Sequence, residues 1–282
     1  MNIWITYSIV SLALVSLLMT TYKVPAAKQI NKYTLSAWQY FFASILAGIL
    51  LYPSISFDQR TLLLGFIWGT GYAILVLSQM HVLHKQDTSS VFPFTSLASN
   101  IFVIIGGVLL LNEVITLVQW VAVSLSVLLF IAQYWNSKIH FVVEILPLFM
   151  FISILSTFNK FVQKNAADNV NVYNFIFWQL TFAFIASLAI VLYKRKHILL
   201  SELTHGNMLK WSFASGILQM GVSYFITKAL SLGPISLVYV IIGLYTFFTS
   251  LFAALLFKEK ITSKSLLFIF LSFLIVLLIK FG

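Results

Sequence analysis

Five polar side chains interrupt the long apolar stretches of this sequence and are the first candidates for chemistry. They are Tyr72, Asn100, Gln219, Tyr239 and Tyr245. A tyrosine combines an apolar ring with one hydroxyl group, and an amide side chain offers both hydrogen-bond donors and an acceptor. Such a set could bind a zwitterion or a polar neutral molecule. Alternatively, these side chains only join neighbouring helices by hydrogen bonds.

The composition indicates what kind of element must position these side chains. The chain is 61% hydrophobic and 9% charged, and its mean hydropathy is +1.00. Soluble domains carry about 25% charged residues, so the chain is predicted to lie in the lipid bilayer of the cell (inner or plasma) membrane. Its net charge of +10 is spread over short gaps and forms no basic face, which argues against nucleic acid as a partner.

Ten apolar stretches are long enough to cross a membrane as helices, which lipid requires because it cannot bond free backbone groups. They lie near 3–22, 36–53, 61–80, 88–111, 116–135, 144–161, 172–193, 207–230, 234–257 and 263–281. The predicted fold class is therefore an all-α integral membrane protein with ten transmembrane helices. Thr116 and Thr262 are expected to be the N-caps of spans 5 and 10.

The sequence also repeats itself. Residues 109–116 (LLLNEVIT) resemble 255–262 (LLFKEKIT), 16–23 resemble 153–160, and 37–43 resemble 177–183. The matches follow one order, so the chain divides into two five-span copies, 1–136 and 137–282. An odd number of spans inverts the second copy, and inverted repeats are typical of secondary transporters.

Several of these features together resemble the drug/metabolite transporter superfamily, EamA type. They are the doubled five-span unit, a lysine near the end of spans 1 and 6 (Lys23 and Lys160), the Pro234-Ile235-Ser236 start of span 9, and the Glu-x-Ile-Thr turns at Glu113 and Glu259. The resemblance implies a ten-helix permease with a central cavity lined by spans 1, 3, 4, 6, 8 and 9. It also implies a possible homodimer through spans 5 and 10, and small-molecule substrates such as amino acids, sugars, nucleotide sugars or amines.

Two further residues could line such a cavity, and the two lysines could carry charge to it. Trp68 could stack on a substrate, although tryptophan also anchors helices at membrane interfaces. Asn159 precedes Lys160 on the same span. Lys23 and Lys160 either extend to the lipid headgroups or lie on the cavity wall, where they could attract a carboxylate.

Groups that could couple transport to protons are harder to identify. All seven acidic residues fall at span ends or in gaps, so Glu113 and Glu259 are either solvated turn residues or gating groups. His81, at the end of span 3, could titrate near neutral pH. His84 lies three residues further along the same helix face, but no third ligand is nearby, so a metal site is not expected. No cofactor is expected either.

The sequence predicts a carrier that moves a small polar or amphipathic metabolite, such as an amino acid, by alternating access, in export or exchange. A carrier of sugars, amines or lipid-linked substrates, or a membrane scaffold that transports nothing, is the alternative. An intramembrane enzyme is not expected, because the chain has no Cys, no G-x-S-x-G and no H-E-x-x-H pattern. Basic residues favour termini outside the cell by the positive-inside rule, whereas the resemblance implies cytoplasmic termini.

Overall fold

A computed structural model describes residues 3–22, 24, 30–83, 88–135, 146–195, 207–257 and 263–282. Within these ranges the regular structure is helical, with no strand. The helices are α1 (Ile3–Thr21), α2 (Lys32–Leu51), α3 (Gln59–Leu83), α4 (Thr88–Leu110), α5 (Leu117–Trp135), α6 (Leu146–Asn169), α7 (Val172–Arg195), α8 (Met208–Leu232), α9 (Ile235–Gly243), α10 (Tyr245–Phe257) and α11 (Ser263–Phe281), with a short 3₁₀ helix at Tyr52–Ser54.

Four helical segments of the described chain are both long and apolar enough to cross a membrane. They are Ile3–Thr21, Lys32–Ser54, Gln59–Val82 and Val172–Lys194. Shorter apolar helical segments occur at Ala98–Leu110, Leu117–Leu129, Ile235–Thr249 and Leu266–Phe281. Helices of this length and composition fit the all-α integral membrane protein that the sequence predicts.

Side chains at several helix starts bind the free backbone amides of the first turn. Asn31 accepts hydrogen bonds from the amides of Tyr33 and Thr34 at the start of α2. At α5, the amide of Gln119 donates to Thr116 Oγ1 at 3.3 Å, and the amide of Thr116 donates to Gln119 Oε1 at 3.1 Å. This reciprocal pair is a capping box, and it confirms the predicted N-cap at Thr116.

Two of the predicted spans differ from the observed helices. Span 6 was expected to end near residue 161, but α6 continues to Asn169, so that Lys160 and Lys164 lie within the helix. The expected span 234–257 is divided at Leu244 into α9 and α10. Just before this break, a Cβ atom on Gly243 would collide with the side-chain amide of Asn100, so the glycine permits this close approach of α4.

Two other glycines allow the central helices to pack backbone to backbone. A Cβ atom built on Gly69 of α3 would lie 2.5 Å from the carbonyl oxygen of Gln179 on α7. A Cβ atom on Gly216 of α8 would lie 2.9 Å from the carbonyl oxygen of Gln39 on α2. Only glycine fits at such a distance, and these contacts fix how closely α3 and α8 approach their neighbours.

Candidate functional site

A cavity of about 100 Å³ lies inside the bundle, between α1, α3, α4, α6, α8, α9 and α10. All seven side chains predicted to bind substrate line it: Trp68, Tyr72, Asn100, Asn159, Gln219, Tyr239 and Tyr245. Lys160 lines it as well. The volume is enough for several water molecules or a small organic molecule. That these residues bind a substrate stays a prediction, while their convergence on one cavity is an observation.

Helical periodicity explains why several residues of one helix face the cavity together. On α6, Ser156, Asn159, Lys160 and Gln163 follow the spacing i, i+3, i+4 and i+7, which places them on one face of the helix. On α8, Gln219, Val222, Ser223 and Ile226 follow the same spacing. Each helix therefore presents one partly polar stripe to the cavity.

Lys160 is held on the cavity wall by neutral oxygen atoms. Its Nζ atom donates hydrogen bonds to Ser99 Oγ and Asn100 Oδ1, both at 2.7 Å, from α4. It also lies 4.7 Å from the centre of the Tyr239 ring, within range of a cation–π interaction. Of the two positions considered for Lys160, the cavity wall is the one observed, and the side chain does not extend to the lipid headgroups.

The acidic residues that the structure describes all have other partners. Asp58 accepts hydrogen bonds from Thr61, and Asp168 pairs with Lys164 at 2.9 Å. Glu113 accepts hydrogen bonds from the backbone at the start of α9. In this part of the chain, the charge of Lys160 is therefore not neutralised by a carboxylate.

Two buried amide side chains of the cavity have unpaired polar atoms. Neither Oδ1 nor Nδ2 of Asn159 has a hydrogen-bond partner among the described residues, although the side chain is only 3% exposed. Gln79 Oε1 is likewise buried without a partner within the described ranges. A Cβ atom on Gly71 would meet Asn159 Oδ1 at 2.5 Å, so this glycine makes room for the amide.

The remaining polar groups form hydrogen bonds between helices. Gln39 Nε2 donates to Tyr22 Oη at 3.1 Å and to Gln219 Oε1 at 3.3 Å. On the other side of the cavity, Tyr239 Oη donates to Gln163 Oε1 at 3.1 Å, and Gln163 Nε2 donates to Thr227 Oγ1 at 2.9 Å. These bonds fix the orientation of the Gln219 and Gln163 amides.

The apolar part of the wall includes a stacked aromatic pair. The ring centres of Trp68 and Tyr72 are 4.4 Å apart, and their planes differ by 18°. Trp68 is 4% exposed, so it belongs to the interior and does not anchor α3 at an interface. Val15, Met19, Leu75 and Ile226 add aliphatic surface.

The other predicted charged or gating residues lie elsewhere. Glu113, after α4, binds the start of α9 and is not a freely solvated turn residue. His81 lies exposed near the end of α3, with its Nδ1 atom 3.2 Å from Lys32 Nζ. Lys23, His84 and Glu259 lie outside the described residues, as does Thr262, the second predicted N-cap. No group of three or more acidic or histidine side chains that could hold a metal ion occurs in the described part of the chain.

Some polar residues of the cavity wall were not predicted from the sequence. They are Gln79, Ser96, Gln163 and Ser223. Gln79 and Gln163 fall at or beyond the predicted ends of spans 3 and 6, where polar residues are ordinary. The spacing of Gln163 from Ser156, Asn159 and Lys160 was the signal that could have identified it.

Comparisons with known proteins agree with this architecture. One solved protein, described only as "Crystal structure of protein", superposes with a TM-score of 0.73 at 11% identity, covering 98% of this chain and 95% of the other. This likeness shows a shared fold. No curated protein matches the chain. The model of the EamA-like transporter family, a family of membrane transporters, matches residues 145–281. This match confirms, over residues 145–281, the resemblance inferred from the sequence: these residues are similar to the EamA-like transporter family of the drug/metabolite transporter superfamily.

Proposed function

We propose that the protein is a ten-span secondary carrier of two inverted five-helix repeats that moves a small polar or amphipathic metabolite by alternating access. The observation that carries this proposal is the central cavity, on which polar side chains from both halves of the chain converge. Polar groups inside a membrane bundle are costly and tend to mark substrate pathways.

The packing of the helices supports the inverted repeat. In an inverted repeat, α1 is the counterpart of α6, α2 of α7, and α3 of α8. The contact of α1 with α8 is then matched by the contact of α6 with α3. The contact of α2 with α8 corresponds in the same way to that of α7 with α3. The close contacts of Gly216 with Gln39 and of Gly69 with Gln179 are one such pair.

The position of the cavity supports alternating access. The first repeat contributes α1, α3 and α4 to its wall, and the second contributes α6, α8, α9 and α10. A movement of one half against the other would therefore open the cavity first to one side of the membrane and then to the other. Secondary transporters built from inverted repeats bind substrate at this interface.

Counterflow in proteoliposomes tests the proposal. Purified protein is reconstituted into vesicles loaded with a pool of amino acids, amines, sugars and nucleosides, and exchange for isotope-labelled members of the pool is followed by mass spectrometry. The Tyr72→Ala/Gln219→Ala double variant removes two side chains of the cavity wall. Lys210→Met, at an exposed position on α8, is the matched control.

We expect exchange of one chemical class by the wild type and by Lys210→Met, and its loss in the double variant. Exchange that persists in the folded double variant would keep the carrier and reject the cavity as its site. No exchange by folded wild-type protein would favour a lipid-linked substrate or a scaffold.

A further inference from the structure

We propose that the cavity selects molecules that bear a carboxylate group, and that Lys160 and Asn159 bind this group. The inference rests on the proposed carrier function and specifies its substrate class: small carboxylic acids with an apolar side chain, amino acids included. It follows from three features of the cavity wall, namely its charge, its unpaired amide and its aromatic surface.

The charge of Lys160 is the first feature. The Nζ atom has three hydrogen-bond donors, and Ser99 and Asn100 accept two hydrogen bonds from it. Both acceptors are neutral, and the described acidic residues are engaged elsewhere. A cation removed from water is costly unless an anion accompanies it, and a bound carboxylate would supply that anion.

The unpaired amide of Asn159 is the second feature. Asn159 precedes Lys160 and shares its helix face, and both line the cavity. Its Nδ2 atom offers donors that no described residue uses. A carboxylate has two oxygen atoms, so it can accept from Lys160 and from Asn159 at once. A buried amide without a partner costs free energy, and a carboxylate that accepts from Nδ2 would reduce that cost.

The other residues of the cavity wall indicate the charge and the side chain of the carboxylic acid. Lys160 is the one lysine or arginine among the described residues of the cavity wall. A single positive charge matches a monocarboxylate better than a doubly charged phosphate ester. The Trp68–Tyr72 stack and the aliphatic residues beside it then favour an aliphatic or aromatic side chain on the acid. The unpaired oxygens of Asn159 and Gln79 could accept from the amino group of an amino acid.

Matched pairs of ligands test the role of the carboxylate. Counterflow is measured for phenylalanine and its decarboxylated analogue 2-phenylethylamine, for leucine and 3-methylbutylamine, and for the 2-oxo acids of both amino acids. Glucose and uridine serve as neutral members of the set. Each amino acid differs from its amine by the carboxylate alone, so preference within these two pairs reports on this group. The 2-oxo acids test whether the carboxylate suffices without the amino group.

Three variants test the residues. Lys160→Met removes the charge and keeps an unbranched side chain one atom shorter, and Asn159→Leu removes the amide at nearly the same shape. Lys210→Met is the control for loss of a lysine. Thermal unfolding in detergent verifies that each variant is folded, and two independent substitutions keep the test valid should one of them not fold.

We expect at least one acid to exchange in the wild type and in Lys210→Met, while its amine does not. Loss of a charged hydrogen bond is expected to reduce acid exchange about 10- to 100-fold in Lys160→Met. Exchange of amines or sugars in preference to acids would overturn the inference and leave the carrier function standing. Acid exchange at wild-type rates in both folded variants would also overturn it. No exchange of any compound by folded wild-type protein would reject the proposed carrier of small polar metabolites, and the inference with it.

Discussion

The carboxylate of Glu113 accepts a hydrogen bond from the backbone amide of Ser236 at 3.1 Å, and another from the amide of Ile235. Glu113 lies between α4 and α5, and the two amides open the first turn of α9 after Pro234. The first amides of a helix have no partner within the helix, and the N-terminus attracts negative charge. The carboxylate thus joins the first half of the chain to the second.

Replacing Glu113 is expected to destabilise the protein. Glu113→Ala leaves both amides of α9 without an acceptor and should lower the free energy of unfolding by about 1–2 kcal/mol. Glu113→Gln keeps one oxygen acceptor and should have a smaller effect. Thermal midpoints in detergent measure the difference. Asp168→Asn is the control, because its exposed ion pair with Lys164 should contribute less than about 1 kcal/mol. An unchanged midpoint in Glu113→Ala would show that the contact does not stabilise α9.

Replacing Asn159 should separate stability from function. Both polar atoms of its amide are buried without a described partner, and such groups cost about 1–3 kcal/mol. Asn159→Leu is therefore expected to leave the thermal midpoint unchanged or raise it, while acid exchange falls.

The control for this prediction is a buried asparagine that has partners. Asn174 donates to Ser56 Oγ at 2.9 Å and accepts from the Ser56 amide at 3.0 Å. Asn174→Leu should lower the midpoint, because it removes both bonds. A comparable loss of stability in Asn159→Leu would mean that Asn159 has a structural role.

Gly69 and Gly216, which allow close packing of the central helices, should not tolerate even a methyl group. In Gly69→Ala the new Cβ atom would meet the backbone of α7, including the amide nitrogen of Ala183 at 2.7 Å. The helices would have to separate, at a cost of about 1–3 kcal/mol. Gly48→Ala is the control, since its nearest contact is a Phe177 ring atom at an ordinary 3.4 Å. Equal thermal midpoints for the two variants would argue against close packing of α3 on α7.

Much of the helical architecture could be predicted from the sequence, because long apolar stretches allow few other structures in lipid. The cavity residues were also predictable: polar side chains such as Tyr72 and Gln219 stand out within apolar spans. The end of α6 could not be predicted, because a lysine such as Lys160 usually marks the end of a membrane span. Its ammonium group is stabilised by Ser99 and Asn100 on another helix, and no pattern within α6 reports these partners.

The partner of Glu113 was equally hidden, since 122 residues separate it from Ile235 in the sequence. The sequence suggests a turn at this position and leaves the role of the acid open between solvation and gating. Only the packing of α9 against α4 brings the carboxylate to the free amides. Local patterns predict local contacts such as the Thr116–Gln119 capping box, and contacts between the two halves of the chain require the assembled structure.

Asp58 should make stability depend on pH in a predictable direction. Located just before α3, its carboxylate accepts from the amide of Thr61 at 2.8 Å and from Thr61 Oγ1 at 2.6 Å. These bonds stabilise the ionised form and hold the pKa of Asp58 below its usual value. The carboxylate therefore contributes stability above its unfolded-state pKa, and this contribution is lost as the pH falls through the lower folded-state pKa.

Thr61→Val removes the hydroxyl bond at nearly the same shape. The pKa of Asp58 should rise toward its usual value, because the charged form loses one donor. The thermal midpoint of Thr61→Val should then decline less on acidification than that of the wild type. Carbon NMR of ¹³C-labelled aspartate reports the pKa directly. Thr70→Val is the matched control on the same helix, because its hydroxyl donates to the Phe66 carbonyl at 2.7 Å and should leave the titration unaltered. An unchanged pKa in Thr61→Val would show that the Thr61 hydroxyl does not stabilise the charged carboxylate.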